Sequence, residues 1–338
     1  MTRPLLAAAF ALLSGVPVPI AAQAAPVDSV RMLRVLGALA HDSMEGRGFG
    51  TEGGARARAL LVDELRARGI APLVRDYVQP LALRATSGRE RHGGNVLAVV
   101  PGARVPDRYL VISAHYDHIG TRGGVIFNGA DDNASGVAVA LELASALAAR
   151  PLAHSVILAF VDGEEAGLRG TRAFLEAELV PDSAIVLNVN LDMVGRNDRC
   201  ELWVAGTHHY PQLRELVAGV AARSELIVRA GHDTGSGRDD WTGASDHAVF
   251  HARGIPFLYF GVEDHADYHR PSDDPDGIQP GFITRAARTV LDAARSADEW
   301  LVAPGPSDRS PTLPTGSSGC GGQASSRSNT MTSSSTGR

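Results

Sequence analysis

Residues 155–167 read SVILAFVDGEEAG. The run 155–161 is apolar after its first serine and shows no polar alternation. That is expected of a strand covered on both faces. Gly163 permits a sharp turn. Two adjacent carboxylates, Glu164 and Glu165, then stand where a strand ends, the edge of an α/β sheet at which sites gather. Adjacent like charges repel, and a cation removes that cost. One carboxylate can bind a metal while its neighbour moves protons. Taken alone, a Glu-Glu pair is more simply a solvated acidic turn, so the rest of the chain has to supply the metal.

The same alternation of apolar runs and amphipathic stretches continues on both sides. Helices are expected at 27–40, with Asp28 or Ser29 as cap, and at 51–69, capped by Thr51 and stopped by Gly69. Further helices are expected at 134–149, 169–178, 210–222 and 280–301. Strands are expected at 95–100, 109–114, 184–191, 201–204, 226–229 and 256–260. Residues 70–83 alternate weakly and read as an edge strand, which Pro80 supports. Strands interleaved with helices predict an α/β fold, with a mixed, mostly parallel central sheet and helices on both faces.

Composition bounds the function. The chain has 338 residues, 44% of them hydrophobic, and a formal net charge of −6. An acidic balance argues against a nucleic-acid surface. Residues 1–24 read as a secretory signal: Arg3, an apolar stretch at 5–13, and Ala22-Gln23-Ala24 as the cleavage pattern. The expected location is therefore periplasmic or extracellular. No later stretch is apolar for long enough to span a bilayer, so no membrane association is expected after signal removal. Residues 25–303 form one expected catalytic domain. Residues 304–338 collapse to Gly, Ser, Thr and Pro and cannot bury enough apolar area to fold. The two cysteines are Cys200 and Cys320. Export permits a disulfide, but Cys320 lies in that tail and the pairing stays open. Any metal site must use His and carboxylates.

The strand ends supply such residues. His115-Tyr116-Asp117 follows the strand at 109–114. Residues 115 and 117 would share one side, so Asp117 can support the ring of His115. Residues 128–136, NGADDNASG, put two aspartates beside a helix start where a cap alone needs neither. Asp192 follows the strand at 184–191. The motifs SDHAVF (245–250) and DYHRP (267–271) flank the strand at 256–260. The chain has twelve histidines. Outside these motifs His41, His92, His118, His154, His208, His209, His232, His251 and His265 read as surface or core residues. Together His115, Asp132, the pair Glu164/Glu165, Asp192 and His269 make an inventory for two zinc ions that share a carboxylate and a water.

The motifs SAHYDHIG, NGADDNASG, FVDGEEAGLRG, NLDMVGR, SDHAVF and DYHRPSDD, in that order over residues 94–301, resemble the dinuclear-zinc aminopeptidases of bacterial secretions within peptidase clan MH. Relatives of these include glutaminyl cyclases and the ectodomain of glutamate carboxypeptidase. The resemblance implies a phosphorylase/hydrolase-like three-layer sandwich and two zinc ions per chain. It implies that His115 and Asp192 hold one zinc, that Glu165 and His269 hold the other, and that Asp132 bridges them. Glu164 would be the general base, Tyr268 would donate to the oxyanion, and Asp117 and Asp246 would lie behind the ligands. A cis peptide between Asp132 and Asn133 is implied as well. The implied activity is removal of N-terminal residues from peptides with a free amino end, by a monomer. A glutaminyl-peptide cyclotransferase, a carboxypeptidase-type relative and a non-catalytic binding ectodomain are the alternatives. The chain departs from some members in lacking a Cys-x-x-x-Cys pair near the last His motif, and the span 70–94 is too short for a protease-associated domain. The preferred side chain has no readable code.

Overall fold

The structure is a computed structural model; it describes residues 27–84, 88, 90–235 and 239–303. The signal at 1–24 and the tail at 304–338, with Cys320, lie outside the described residues. In chain order the strands are β1 Ala71–Pro72, β2 Val78–Arg84, β3 Glu90–Val100, β4 Val105–His115, β5 Gly120–Arg122, β6 Val125–Phe127, β7 His154–Val161, β8 Ile185–Leu191, β9 Glu201–Ala205, β10 Ile227–Ala230 and β11 Phe257–Gly261. The helices are α1 Ser29–Leu39, α2 Glu52–Ala67, α3 Gly136–Ala149, α4 Arg169–Glu176, α5 Arg214–Arg223, α6 His247–Ala252 and α7 Pro280–Val302.

The main sheet runs β1-β3-β7-β4-β8-β11-β9-β10, with β2 also paired to β3. β7, β4, β8 and β11 are mutually parallel, whereas β3 and β9 run antiparallel to their central neighbours. This is the mixed, mostly parallel sheet expected from the sequence. β2 pairs only with β3, as its proline allows at an edge. The weak stretch 70–83 is two short strands broken by a turn, not one, and the β5–β6 hairpin was not anticipated. The motif SDHAVF includes the start of a helix, α6.

Every residue of β7 is buried. Its alternate side chains point to opposite faces, as the pleat requires. Val156, Leu158 and Phe160 join a core with α1, α2, α3, α5 and α7. Ile157, Ala159 and Val161 join a second core with Phe174 of α4 and Phe250 of α6. The result is three layers. The first two helices carry no motif of the site, yet they are fixed to the middle of the fold. Arg31 donates from Nε and Nη2 to the buried Glu142 of α3, at 2.7 Å each, and Arg68 adds a bond at 3.3 Å. Asp28 and Thr51 cap α1 and α2, accepting from Arg31 N and Gly54 N. Among the described residues no helix is long and apolar enough to cross a membrane.

Candidate active site

The four parallel strands all end on one side of the sheet, and each delivers a residue there. β4 ends on His115, β7 is followed by Glu164 and Glu165, β8 by Asp192, and the loop after β11 by His269. The chain places β7 on one side of β4 and β8 on the other. Such a reversal of strand order opens a crevice at the carboxyl ends. Gly163 makes the predicted turn with φ of 75°.

Asp132 enters from the turn at Ala130–Ser135, and the peptide between Asp132 and Asn133 is cis, as the resemblance implies. Side chains and backbone fix this turn from several directions. Asp273 accepts from Asp131 N and Asp132 N at 3.0 and 3.1 Å. Asp131 accepts from Gly195 N at 2.7 Å and lies 3.1 Å from His265 Nε2. Asn133 donates to Leu191 O at 2.8 Å and accepts from Gly136 N at 3.0 Å, which ties the turn to the end of β8.

Two donor sets result. His115 Nε2 lies 3.2 Å from Asp192 Oδ1 and 3.4 Å from Asp132 Oδ1. His269 Nε2 lies 3.1 Å from Asp132 Oδ2 and 3.5 Å from Glu165 Oε1. The expected ligands thus come together, and Asp132 turns one oxygen to each set. His115 Nδ1 bonds Asp117, but through the carbonyl oxygen at 3.1 Å, with the carboxylate 3.8 Å away. Asp117 leaves the strand direction after His115, and its Oδ1 accepts from Glu164 N at 3.0 Å. It therefore orients the turn that carries Glu164 as well as the ring of His115. Tyr268 stacks on His269 with ring centroids 3.9 Å apart. Asp246 lines no part of the cleft; it is buried behind it and accepts from Thr171 Oγ1.

Electrostatics shows what the cluster lacks. Burial opposes charge on His115, but Asp192, Glu164 and Asp132 outweigh it and drive the imidazole well above its usual range. The carboxylates of Asp132 and Glu165, 3.1 and 3.5 Å from Nε2 of His269, push that imidazole up to about 10. Burial raises Asp192, and burial pushes Asp246 up to about 6. The carboxylates thus demand positive charge beside both imidazoles. Glu165 Oε1, though buried, has no hydrogen-bond partner among the described residues. Imidazole nitrogens and carboxylate oxygens, with no thiolate, form a donor set suited to zinc. The residues therefore fit a metal centre. They open into a cleft of about 610 Å³ whose walls include Leu168, Met193, Trp241, Tyr259 and Val262.

Sequence reasoning missed two residues here. His118, set aside among the unassigned histidines, is buried with Nδ1 2.8 Å from Glu165 Oε1. It lies beyond the end of β4, where strand alternation no longer gives a direction; its only signal is its spacing within HYDH. Arg47 is fully buried and donates to the carbonyls of Tyr116, Leu39, Asn128 and Gly129 at 2.5–2.9 Å. It joins the loop after β4 to the turn that carries Asp132, and no pattern in the sequence marks it.

The chain has recognisable relatives. A zinc aminopeptidase from Bacillus subtilis has a similar fold, with a TM-score of 0.67 at 16% identity over 80% of this chain and 96% of that one. A glutaminyl cyclase from Bacteroides thetaiotaomicron superposes with a TM-score of 0.64 at 18% identity, over 81% of this chain and 99% of that one. A protein of Leptosphaeria maculans named a probable zinc metalloprotease is 39% identical over 130 residues, 36% of this chain. That match spans 29% of the relative's own length. The profile of peptidase family M28 matches residues 95–294, the region that contains every residue of both donor sets. On that match, over more than half of its length, the chain belongs to peptidase family M28.

Proposed function

We propose that the chain is an exported metallo-exopeptidase that removes N-terminal residues from peptides with a free amino end, using two zinc ions. The observation that carries this reading is Asp132, whose Oδ1 lies 3.4 Å from His115 Nε2 and whose Oδ2 lies 3.1 Å from His269 Nε2. A carboxylate turned both ways between two imidazole-carboxylate sets suits a bridge between two ions. Held by His115, Asp132 and Asp192 on one side and by Asp132, Glu165 and His269 on the other, zinc would supply Lewis acidity and a water of lowered pKa.

The protein's own groups handle the protons. Burial pushes the Glu164 carboxyl up to about 9, against the pull of His115. Bound cations would lower that value and leave a carboxylate more basic than an exposed one, able to take a proton from the attacking water and return it to the leaving amine. Tyr268 keeps its hydroxyl proton, because burial raises its pKa, and can donate it to the carbonyl oxygen as charge develops there. Leu168, Met193, Trp241 and Val262 along the cleft suit an apolar first residue.

The test is a panel of aminoacyl anilides with free and blocked amino groups, run with and without chelator. Hydrolysis confined to free amino ends and abolished by chelator is expected. Equal hydrolysis of blocked substrates would overturn the exopeptidase reading. Because a glutaminyl cyclase shares the fold, metal content per chain is measured alongside. A value near one, with cyclisation of N-terminal glutamine, would favour that activity instead.

A further inference from the structure

One imidazole lies buried against the second donor set without a role so far. The side chain of His118 has no solvent exposure, and its Nδ1 lies 2.8 Å from Glu165 Oε1 and 3.6 Å from Asp132 Oδ2. Those same two oxygens face His269 Nε2, at 3.5 and 3.1 Å. Ligand atoms of His118, Asp132 and Glu165 all lie within 4.8 Å of one another, and His269 Nε2 faces the same two carboxylates. Among the described residues neither ring nitrogen of His118 makes a hydrogen bond, and neither does Glu165 Oε1. An approach of 2.8 Å without a bond means that the ring nitrogen and the oxygen are not aligned on each other. Ligands of one ion show that relation: close together, both directed at a third point.

The surroundings hold the ring in place. Gly129 has φ of 57°, and a Cβ there would come within 2.5 Å of His118 Cδ2 and 2.6 Å of Cγ. The turn carrying Asp132 thus abuts the His118 ring directly. On another side the rings of His118 and His269 meet edge to face, with centroids 5.8 Å apart. His118 N donates to Arg47 O at 3.4 Å.

We propose that His118, through Nδ1, is a fourth protein ligand to the ion held by Asp132, Glu165 and His269, an inference that rests on the two-metal reading above. Its consequence is that the two pockets differ in kind. Four protein donors close a zinc site, whereas three leave a position open for water or substrate. The pocket of His118 is then the anchoring one. The pocket of His115, Asp132 and Asp192 keeps the open position, and Glu164 is close enough to His115 and Asp192 to sense their charges. Two imidazoles also bias the anchoring pocket towards zinc or cobalt over magnesium or manganese.

The experiment loads the full chain with cobalt and withdraws it with a graded chelator, reading ions per chain and visible absorption. The wild type is expected to release two ions in separate steps, one held far more tightly. In His118→Ala the tight step should weaken at least about tenfold and its absorption band should change, while the weaker step stays in place. Identical release and spectra in the two proteins overturn the role of His118. A wild type that takes up only one ion overturns the two-metal reading instead, and an unchanged affinity for that ion in His118→Ala then also overturns the ligand. Should the variant fail to fold, isotope-labelled histidine spectra of the cadmium-loaded wild type decide: a shifted His118 Nδ1 is expected, and an unshifted one overturns the proposal.

Discussion

Glu164 and Glu165 are joined by one peptide bond, yet their carboxyl groups are held at opposite ends of the titration range. Burial would raise both. At Glu165 the imidazoles of His118 and His269, 2.8 and 3.5 Å from Oε1, outweigh burial and hold the carboxyl well below its usual range. At Glu164 burial dominates, and the charges of Asp246, Asp192 and Asp117 add to it, so the carboxyl is pushed up to about 9 despite His115. Two like groups whose environments drive them apart mark an acid/base assignment. Glu165 is suited to stay ionised on a cation, and Glu164 to carry a proton. A bound cation lowers both values but preserves their order, because Glu165 is the one that faces the donor set.

Glu164→Gln keeps the shape and removes the proton carrier. We expect kcat to fall by about 10²–10⁴-fold with metal content unchanged, the usual contribution of a positioned acid/base group. Glu165→Gln should instead lower metal content first. Metal analysis together with turnover separates the two variants. Retained activity in Glu164→Gln removes its role, and lost metal there means the pair's roles are exchanged.

Metal should stabilise the fold as well as the reaction. Removing an ion leaves Asp132, Glu165 and Asp192 as like charges in one cleft. Free zinc at 100 times its Kd adds about 2.7 kcal/mol to a protein that binds it only when folded. For a domain of this size that is a rise in Tm of about 5 °C. Calorimetry across a series of free zinc concentrations checks it; a Tm indifferent to zinc and to chelator would take the metal out of this site.

The physics of the strands made much of this legible in the sequence. β7 and β4 are apolar runs with no alternation, so their place at the centre could be read, and with it the position of whatever follows them. His115, Glu164, Glu165 and Asp192 follow directly. His118 was hidden because the rule that locates His115, alternation along a strand, ends where β4 ends. The support Asp117 gives to His115 came through a carbonyl, and backbone groups leave no trace in residue identity. For the same reason Arg47 was invisible: its bonds go to four backbone carbonyls, three of them 69 to 82 residues away in the chain. The β5–β6 hairpin is too short, at three residues a strand, to show a period.

Arg47 ties the loops of the site together from outside the donor sets. It is a buried cation with carbonyl oxygens as its bonded partners, and burial lowers its pKa to about 10, against the attraction of Asp132 and the neighbouring carboxylates. Arg47→Met removes the donors and leaves buried carbonyls unsatisfied at about 1–3 kcal/mol each. We expect a loss of about 3 kcal/mol or more, with weaker metal binding because the loops of His118 and Asp132 lose their shared tie. Arg47→Lys should recover only part of it, since one ammonium cannot span the same fork. Urea unfolding with a metal titration checks both; a variant as stable as the wild type with unchanged metal affinity would show that the loops hold themselves.

Asp298, far along α7, gives a prediction about acid stability that does not involve the metal. Its Oδ2 accepts from Ala153 N at 2.8 Å, and its Oδ1 accepts from His154 N at 3.0 Å and lies 2.7 Å from His154 Nδ1. These bonds fasten the closing helix to the first residue of β7. Burial would raise its pKa, but His154 and the two backbone donors outweigh it and hold the carboxyl below its usual value. A depressed folded pKa contributes stability that is fully present above the unfolded value, about 3.9, and is lost as pH falls through the lower folded value. Asp298→Asn removes the charge and one strong acceptor, so at neutral pH it should cost about 1–3 kcal/mol. The gap between the variant and the wild type should close as pH is lowered through the folded pKa, because the wild-type carboxyl is then protonated as well. Urea unfolding at neutral and acid pH reads this directly. A gap of the same size at both would mean that the interaction comes from shape and packing rather than from the ionised carboxylate.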